Sequence, residues 1–95
     1  MNFEQELAIL KTGGRVARRN WNGKGMFIFL VDGSVFNVSR APLNQFYKEG
    51  TTVRYHAHID MKTADGYIVP WLCSQTDMLA EDWEIVQSAT LSTEF

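Results

Sequence analysis

The sequence holds a single cysteine, Cys73, and only two prolines. One thiol cannot close an internal disulfide, and this sparing use of cysteine fits a reducing cytosol. Long apolar runs are missing as well: the longest strongly apolar stretch, Met26 to Val31, covers six residues. A membrane-spanning helix needs about 20, so none is expected. The opening MNFEQELAIL places acids ahead of its apolar residues, unlike a secretory signal peptide. Positive charge is scarce in the second half, where residues 55–95 carry one Lys and seven Asp/Glu, a balance of −6. Residues 1–54 carry eight Lys/Arg and four Asp/Glu, a balance of +4. The net charge of −2 argues against a general nucleic-acid coat. Within the basic half, Arg15, Arg18, Arg19 and Lys24 cluster with no acid among them. Such a patch can meet a small anionic ligand, or the acidic half of a neighbouring molecule.

What is present is globular. The 95 residues are 45% hydrophobic and 13% aromatic, which a disordered chain is not. This length suits one domain, expected over residues 1–87, with residues 88–95 as a mobile tail. A chain this short buries only about 60–70% of its unfolded surface, so oligomerisation is a natural way to bury more.

Phe3, Leu7 and Leu10 stand at i, i+4, i+7 and predict a helix over about Phe3 to Thr12. Asn2 caps it with Gln5 as the capping-box partner, and Glu4 and Glu6 suit its positive end. Gly13-Gly14 ends it. Strands are expected at Arg15 to Arg19 and Met26 to Val31. Asp32-Gly33 reads as a hairpin turn that returns Ser34 to Val38 antiparallel. Arg40 to Gly50 reads as a loop with a short helix starting near Pro42. Val53 to Met61 carries the clearest period-two pattern, with Val53, Tyr55, Ala57, Ile59 and Met61 inward. Tyr67 to Leu72 reads as an edge strand because of Pro70, and Trp83 to Val86 as the last strand. The fold class is α+β: an N-terminal helix packed on an antiparallel sheet of about five short strands.

Three groups carry candidate chemistry. His56, His58 and Asp60 alternate on one strand and can share a face, which permits a metal site. A compact three-ligand site usually draws on more than one element, so a hydrogen-bonded polar face or a subunit interface is the expected reading. In the turn Trp21-Asn22-Gly23-Lys24-Gly25, glycine lets a ligand approach the backbone. Lys24 and backbone amides can hold a phosphate, and Trp21 can stack on a base. Trp21 can also simply cover the core. In Pro70 to Asp77, an indole, Trp71, stands beside Ser74, Gln75, Thr76 and Asp77, groups able to read a sugar or base edge. The alternative is a helix-capping turn with Trp71 in the core. No pair of carboxylates has a general acid/base spacing, and Cys73 has no base to orient it. These residues favour a binding domain over an enzyme.

The stretches MNFEQELAILKTGGRVARRNWNGKGMFIFL, YHAHIDMKTADGYIVPW and SQTDMLAEDWEIV together resemble the Thoeris anti-defence family of the second type, formerly grouped as a domain of unknown function. The resemblance implies a phage or prophage protein that binds and sequesters a glycocyclic ADP-ribose-type immune signal without degrading it. That signal is made from NAD by a bacterial TIR-domain enzyme. It also implies cyclic dinucleotides as further ligands, and a homotetramer built as a dimer of dimers in the host cytosol. No cofactor, metal, catalytic residue, DNA, RNA or membrane is implied. On this chain the implied ligand contacts are Trp21 and Trp71 for stacking and Gly23 for close approach. Asn22, Ser74, Gln75, Thr76 and Asp77 would give directional bonds, and Lys24 with Arg18 or Arg19 the charge. Phe27 and His58 complete the set. Two rivals remain: a small protein-interaction module, and an enzyme that degrades the signal with metal at His56, His58 and Asp60.

Overall fold

The chain enters its first helix where the sequence supplies a cap. The Gln5 amide donates to the Asn2 side chain and the Asn2 amide donates to the Gln5 side chain, each at 2.9 Å. These two reciprocal bonds satisfy donors that the first turn would otherwise leave open. Helix α1 (Phe3–Lys11) is followed by Gly13, whose φ of +91° glycine takes without steric cost. The computed structural model describes residues 1–21 and 24–87. The expected tail over 88–95 lies outside the described residues, as do Asn22 and Gly23 of the expected binding turn.

Seven strands follow in the described residues: β1 (Arg15–Arg18), β2 (Phe27–Val31), β3 (Ser34–Asn37), β4 (Thr52–Tyr55), β5 (His58–Lys62), β6 (Ile68–Pro70) and β7 (Trp83–Ile85). A short helix, α2 (Gln75–Met78), precedes β7. Five strands form one antiparallel sheet in the order β6-β5-β2-β1-β7, and β3 and β4 form a separate two-stranded ribbon. Helix α1 lies across β1, β2 and β7. The expected α+β arrangement is therefore the observed one, with Pro70 on an edge strand.

The core sits between α1 and the sheet. Leu10, Val16, Ile28 and Trp83 are exposed by 1% or less. Register explains the grouping: Val16 lies opposite Ile28, and Ile28 opposite Met61. Ile59 and Met61 pack on this cluster, as do Phe3, Leu7, Trp21 and Trp71. Leu10 is fully buried and Leu7 only half-buried. Leu10→Ala is expected to lower stability by about 2–5 kcal/mol, the range for emptying a core leucine site. Leu7→Ala should cost clearly less. Urea midpoints of the two variants measure the difference.

Helix α1 also buries a charge. Glu6 stands four residues before Leu10, so the helical repeat puts it on the same inward stripe. It is fully buried, and neither carboxylate oxygen has a hydrogen-bond partner. Burial pushes its pKa up to about 7.

Two expectations are corrected. Asp32-Gly33 does not close a hairpin between β2 and β3. Both edges of β2 are already taken, by β1 and β5, and β3 pairs with β4 instead. At Gly33 the chain passes so close to the returning segment that a Cβ would stand 2.7 Å from the Tyr55 carbonyl oxygen. The single strand expected over Val53 to Met61 is two strands, broken at His56-Ala57. β4 belongs to the ribbon and β5 to the main sheet. The alternation survives only in β5, where Ile59 and Met61 face the core. The ribbon and the turn between its strands form an arm over residues 32–57, in which Val38 is the buried residue. The expected helix there is a single 3-10 turn, Leu43–Gln45.

Candidate functional site: a cationic cleft beside Trp21

Strand alternation sends Val16 and Ile28 toward α1, and Arg15, Ala17 and Phe27 to the opposite face of the sheet. That face carries a cleft of about 530 Å³, lined by Arg15, Arg19, Trp21, Lys24, Phe27 and Glu84 among others. The Arg15 guanidinium lies over the Phe27 ring, 4.6 Å from its centroid, and Phe27 leans on Phe29 at 5.8 Å. A cation on an aromatic face is held by the ring quadrupole without losing its charge. The acid in the wall is Glu84, whose Oε2 accepts from Arg19 Nε at 3.4 Å in an exposed pair. The cleft is thus positively charged, with flat apolar walls.

Trp21 ends a 3-10 turn (Arg19–Trp21) that leaves β1. Its ring meets Trp83 edge-on, with centroids 5.4 Å apart at 81°. It therefore does both things the sequence left open: it packs on the core and lines the cleft. Lys24, Phe27 and Arg18 line the cleft as well.

Arg18 differs from its neighbours. Its Nη1 donates to Asp77 Oδ1 at 2.9 Å and its Nε to Asp82 Oδ1 at 2.8 Å. Its charge is committed to two carboxylates. In return, Arg18 holds the Asp82 carboxyl below the usual carboxylate range.

The second candidate segment lies elsewhere. Ser74 caps α2, accepting from the Asp77 amide at 3.0 Å. Asp77 binds Arg18, and its carbonyl accepts from Trp83 Nε1 at 3.0 Å. Trp71 stands edge-on to Trp83 with centroids 6.1 Å apart. Gln75 and Thr76 are exposed on the first turn of α2. None of these five residues is in the wall of the cleft. Arg18 joins the two segments as a strut. Burial pushes the Cys73 thiol up, with Asp77 and Glu6 adding to the shift, which disfavours the nucleophilic thiolate.

His58 and Asp60 share a face of β5, with Nε2 3.4 Å from Oδ1. His56 lies in the crossing between arm and sheet, its carbonyl 3.2 Å from His58 Nδ1. Among the described residues no three His, Cys, Asp or Glu side chains gather at metal-binding distance. No helix among the described residues is long and apolar enough to cross a membrane.

Sequence reasoning counted Arg15 in the basic cluster but did not single it out as a site residue. The signal was the alternation itself, which sets Arg15 and Ala17 opposite Val16. The commitment of Arg18 had no local signal, because its partners stand 59 and 64 residues away.

The geometry defines a small α+β domain with a cationic, aromatic-walled cleft on its open sheet face. Residues 1–86 match the Tad2-like family, described as a Thoeris anti-defense 2-like domain. The chain is 40% identical over 87 residues to Thoeris anti-defense 2 of Bacillus phage SP01, covering 90% of this chain and 94% of that protein. The chain belongs to the Thoeris anti-defense 2-like family, and with it to the phage anti-defence proteins. The resemblance seen in the sequence motifs holds over nearly the whole domain.

Proposed function

We propose that this protein is a sponge. It binds a glycocyclic ADP-ribose-type signal in the cleft beside Trp21 and holds it intact in the host cytosol. The observation that carries this reading is the pairing of Arg15 on Phe27 with Arg19, Lys24 and Trp21 around one cleft. A cyclic ADP-ribose isomer presents a pyrophosphate, two riboses and an adenine. The cations suit the first, and the aromatic walls suit the last. The wall offers charge and stacking more than acid/base chemistry, which favours capture over turnover. A related cyclic dinucleotide would present the same two features. The working assembly in this reading is a homotetramer, a dimer of dimers. The exposed aromatic residues of the arm, Phe46 and Tyr47, give such an assembly surface to bury.

Capture and release tests the proposal. The protein is incubated with a panel of cyclic ADP-ribose isomers and cyclic dinucleotides and then filtered. The retained fraction is heat-denatured and analysed by mass spectrometry. Recovery of an unaltered isomer is the expected result; a cleaved product would establish an enzyme. Arg15→Ala should weaken capture about tenfold, the factor that about 1.4 kcal/mol of lost cation contact gives.

One observation favours a protein-interaction module as the second reading. Leu72 is 91% exposed and Leu79 78% exposed, both beside α2, and large exposed apolar side chains mark contact surfaces when they cluster. That reading predicts a stoichiometric protein partner and no retained nucleotide.

A further inference from the structure

We propose that Asp82 and Lys62, two residues outside the cleft wall, are positioning residues that hold two parts of that wall, Trp21 and Gly25, for ligand capture. This rests on the cleft being the capture site.

On the Trp21 side, Asp82 makes three bonds to the chain that leads into Trp21. Its carboxylate accepts from Arg18 Nε at 2.8 Å and from the Asn20 amide at 3.1 Å. Its carbonyl accepts from the Arg19 amide at 3.0 Å. Asp82 immediately precedes β7, so these bonds fasten the 3-10 turn carrying Trp21 to an edge strand of the sheet. Arg18 is braced from its other side by Asp77, which keeps the Asp82–Arg18 pair from swinging. The side chains of Arg18 and Asp77 are mostly buried, and a charged pair held away from solvent is geometrically specific.

On the Gly25 side, Lys62 Nζ donates to the Gly25 carbonyl at 3.1 Å. Gly25 takes a φ of +71°, and a Cβ there would stand 3.2 Å from that same nitrogen. Lys62 lies opposite Phe27 in the β5–β2 ladder, so the anchor is a neighbouring strand of the same sheet. The β7 end thus holds the Trp21 side and β5 holds Gly25, with β1 and β2 between them. Neither Asp82 nor Lys62 is in the cleft wall, so neither needs to touch the ligand. A wall held in advance at these two points leaves less ordering to be done on binding, which is where preorganisation raises affinity.

The test uses the full chain with glycocyclic ADP-ribose as probe. Lys62→Met keeps the stem and removes the donor, and Lys62→Arg restores a donor. Lys62→Met is expected to raise Kd about tenfold with the thermal midpoint unchanged. Lys62→Arg should recover most of that loss. Faster hydrogen exchange at the Met26 amide should accompany Lys62→Met alone. Asp82→Asn, which weakens the bond to Arg18, should change Kd in the same direction. Capture by Lys62→Met equal to that of the unmodified protein would overturn the proposal. So would an equal loss in Lys62→Met and Lys62→Arg with a lowered midpoint, which would assign Lys62 to the fold. If the unmodified protein retains no probe, the capture-site reading fails first and takes this proposal with it.

Discussion

Glu6→Met is expected to make the protein more stable at pH 8 by about 3 kcal/mol, and to change it far less at pH 4. Glu6 is sealed under α1 with both oxygens unpartnered, and burial raises its pKa to about 7 from an unfolded value near 4.5. The folded state therefore prefers the protonated carboxyl. The stability this contributes is complete below pH 4.5 and is lost as the pH rises through 7. The slope is up to about 1.4 kcal/mol per pH unit, which gives the total just stated. Asp82 acts in the opposite sense and in a lower window. Arg18 depresses its pKa, so its contribution is present above the ordinary carboxylate range and is lost on further acidification. Stability should thus peak in mildly acidic solution. Glu6→Met removes the charge with little change in volume or helix propensity. Glu6→Gln removes the charge but leaves a buried amide to satisfy, so it should flatten the slope with a smaller gain. Thermal or urea unfolding from pH 4 to 8 on the three proteins reads both effects. A flat profile in the unmodified protein would overturn this, showing that the Glu6 carboxylate is paired or hydrated in solution.

The second large effect is expected at Trp83. Its ring meets Phe3, Trp21 and Trp71 edge-on, with centroids 5.4 to 6.4 Å away, and its Nε1 donates to the Asp77 carbonyl. One side chain therefore joins α1, the turn after β1, the segment before α2 and the sheet. Trp83→Ala should cost about 3–5 kcal/mol for the emptied volume, with the unpaired Asp77 carbonyl adding to it. A domain of this size has only about 5–15 kcal/mol in total, so the variant should lose much of its cooperative unfolding transition. Trp83→Phe keeps an aromatic edge but not the Nε1 donor, and should fall between. Near-ultraviolet circular dichroism, which reports the packed indoles, should collapse in Trp83→Ala. If it survives with an unchanged urea midpoint, Trp83 is not the hub of the core.

These two residues also mark where sequence reading succeeds and where it stops. The cap at Asn2 and Gln5 and the stop at Gly13 were legible because a few adjacent residues decide them. The inward pair Ile59 and Met61 was legible because strand alternation is a local rule. The partners of β2 were not, since nothing in Met26 to Val31 distinguishes a return by Ser34 to Val38 from pairing with a strand thirty residues away. Glu6 was read by its charge, which suits a helix start. Its place on the stripe with Leu10 pointed the other way, and the stripe prevailed. At the site, Trp21 and Lys24 were visible as a turn with stacking and charge. The basic cluster was visible too, but not its division into Arg15 facing the cleft and Arg18 bound to Asp77 and Asp82. That division depends on which acids the tertiary fold delivers.

The arm has a consequence for how such a chain can change over generations. Val31 and His58 are paired partners at the end of the β2–β5 ladder. Everything between them leaves the main sheet and returns to the point it left, and the ribbon buries little of itself against the rest. The five-stranded sheet is in this sense topologically indifferent to the excursion's length and content. Substitutions, insertions or trimming there can re-tailor what this surface meets while β1, β2 and the Trp83 cluster keep their register. Change on the arm and constancy in the cleft are thereby uncoupled.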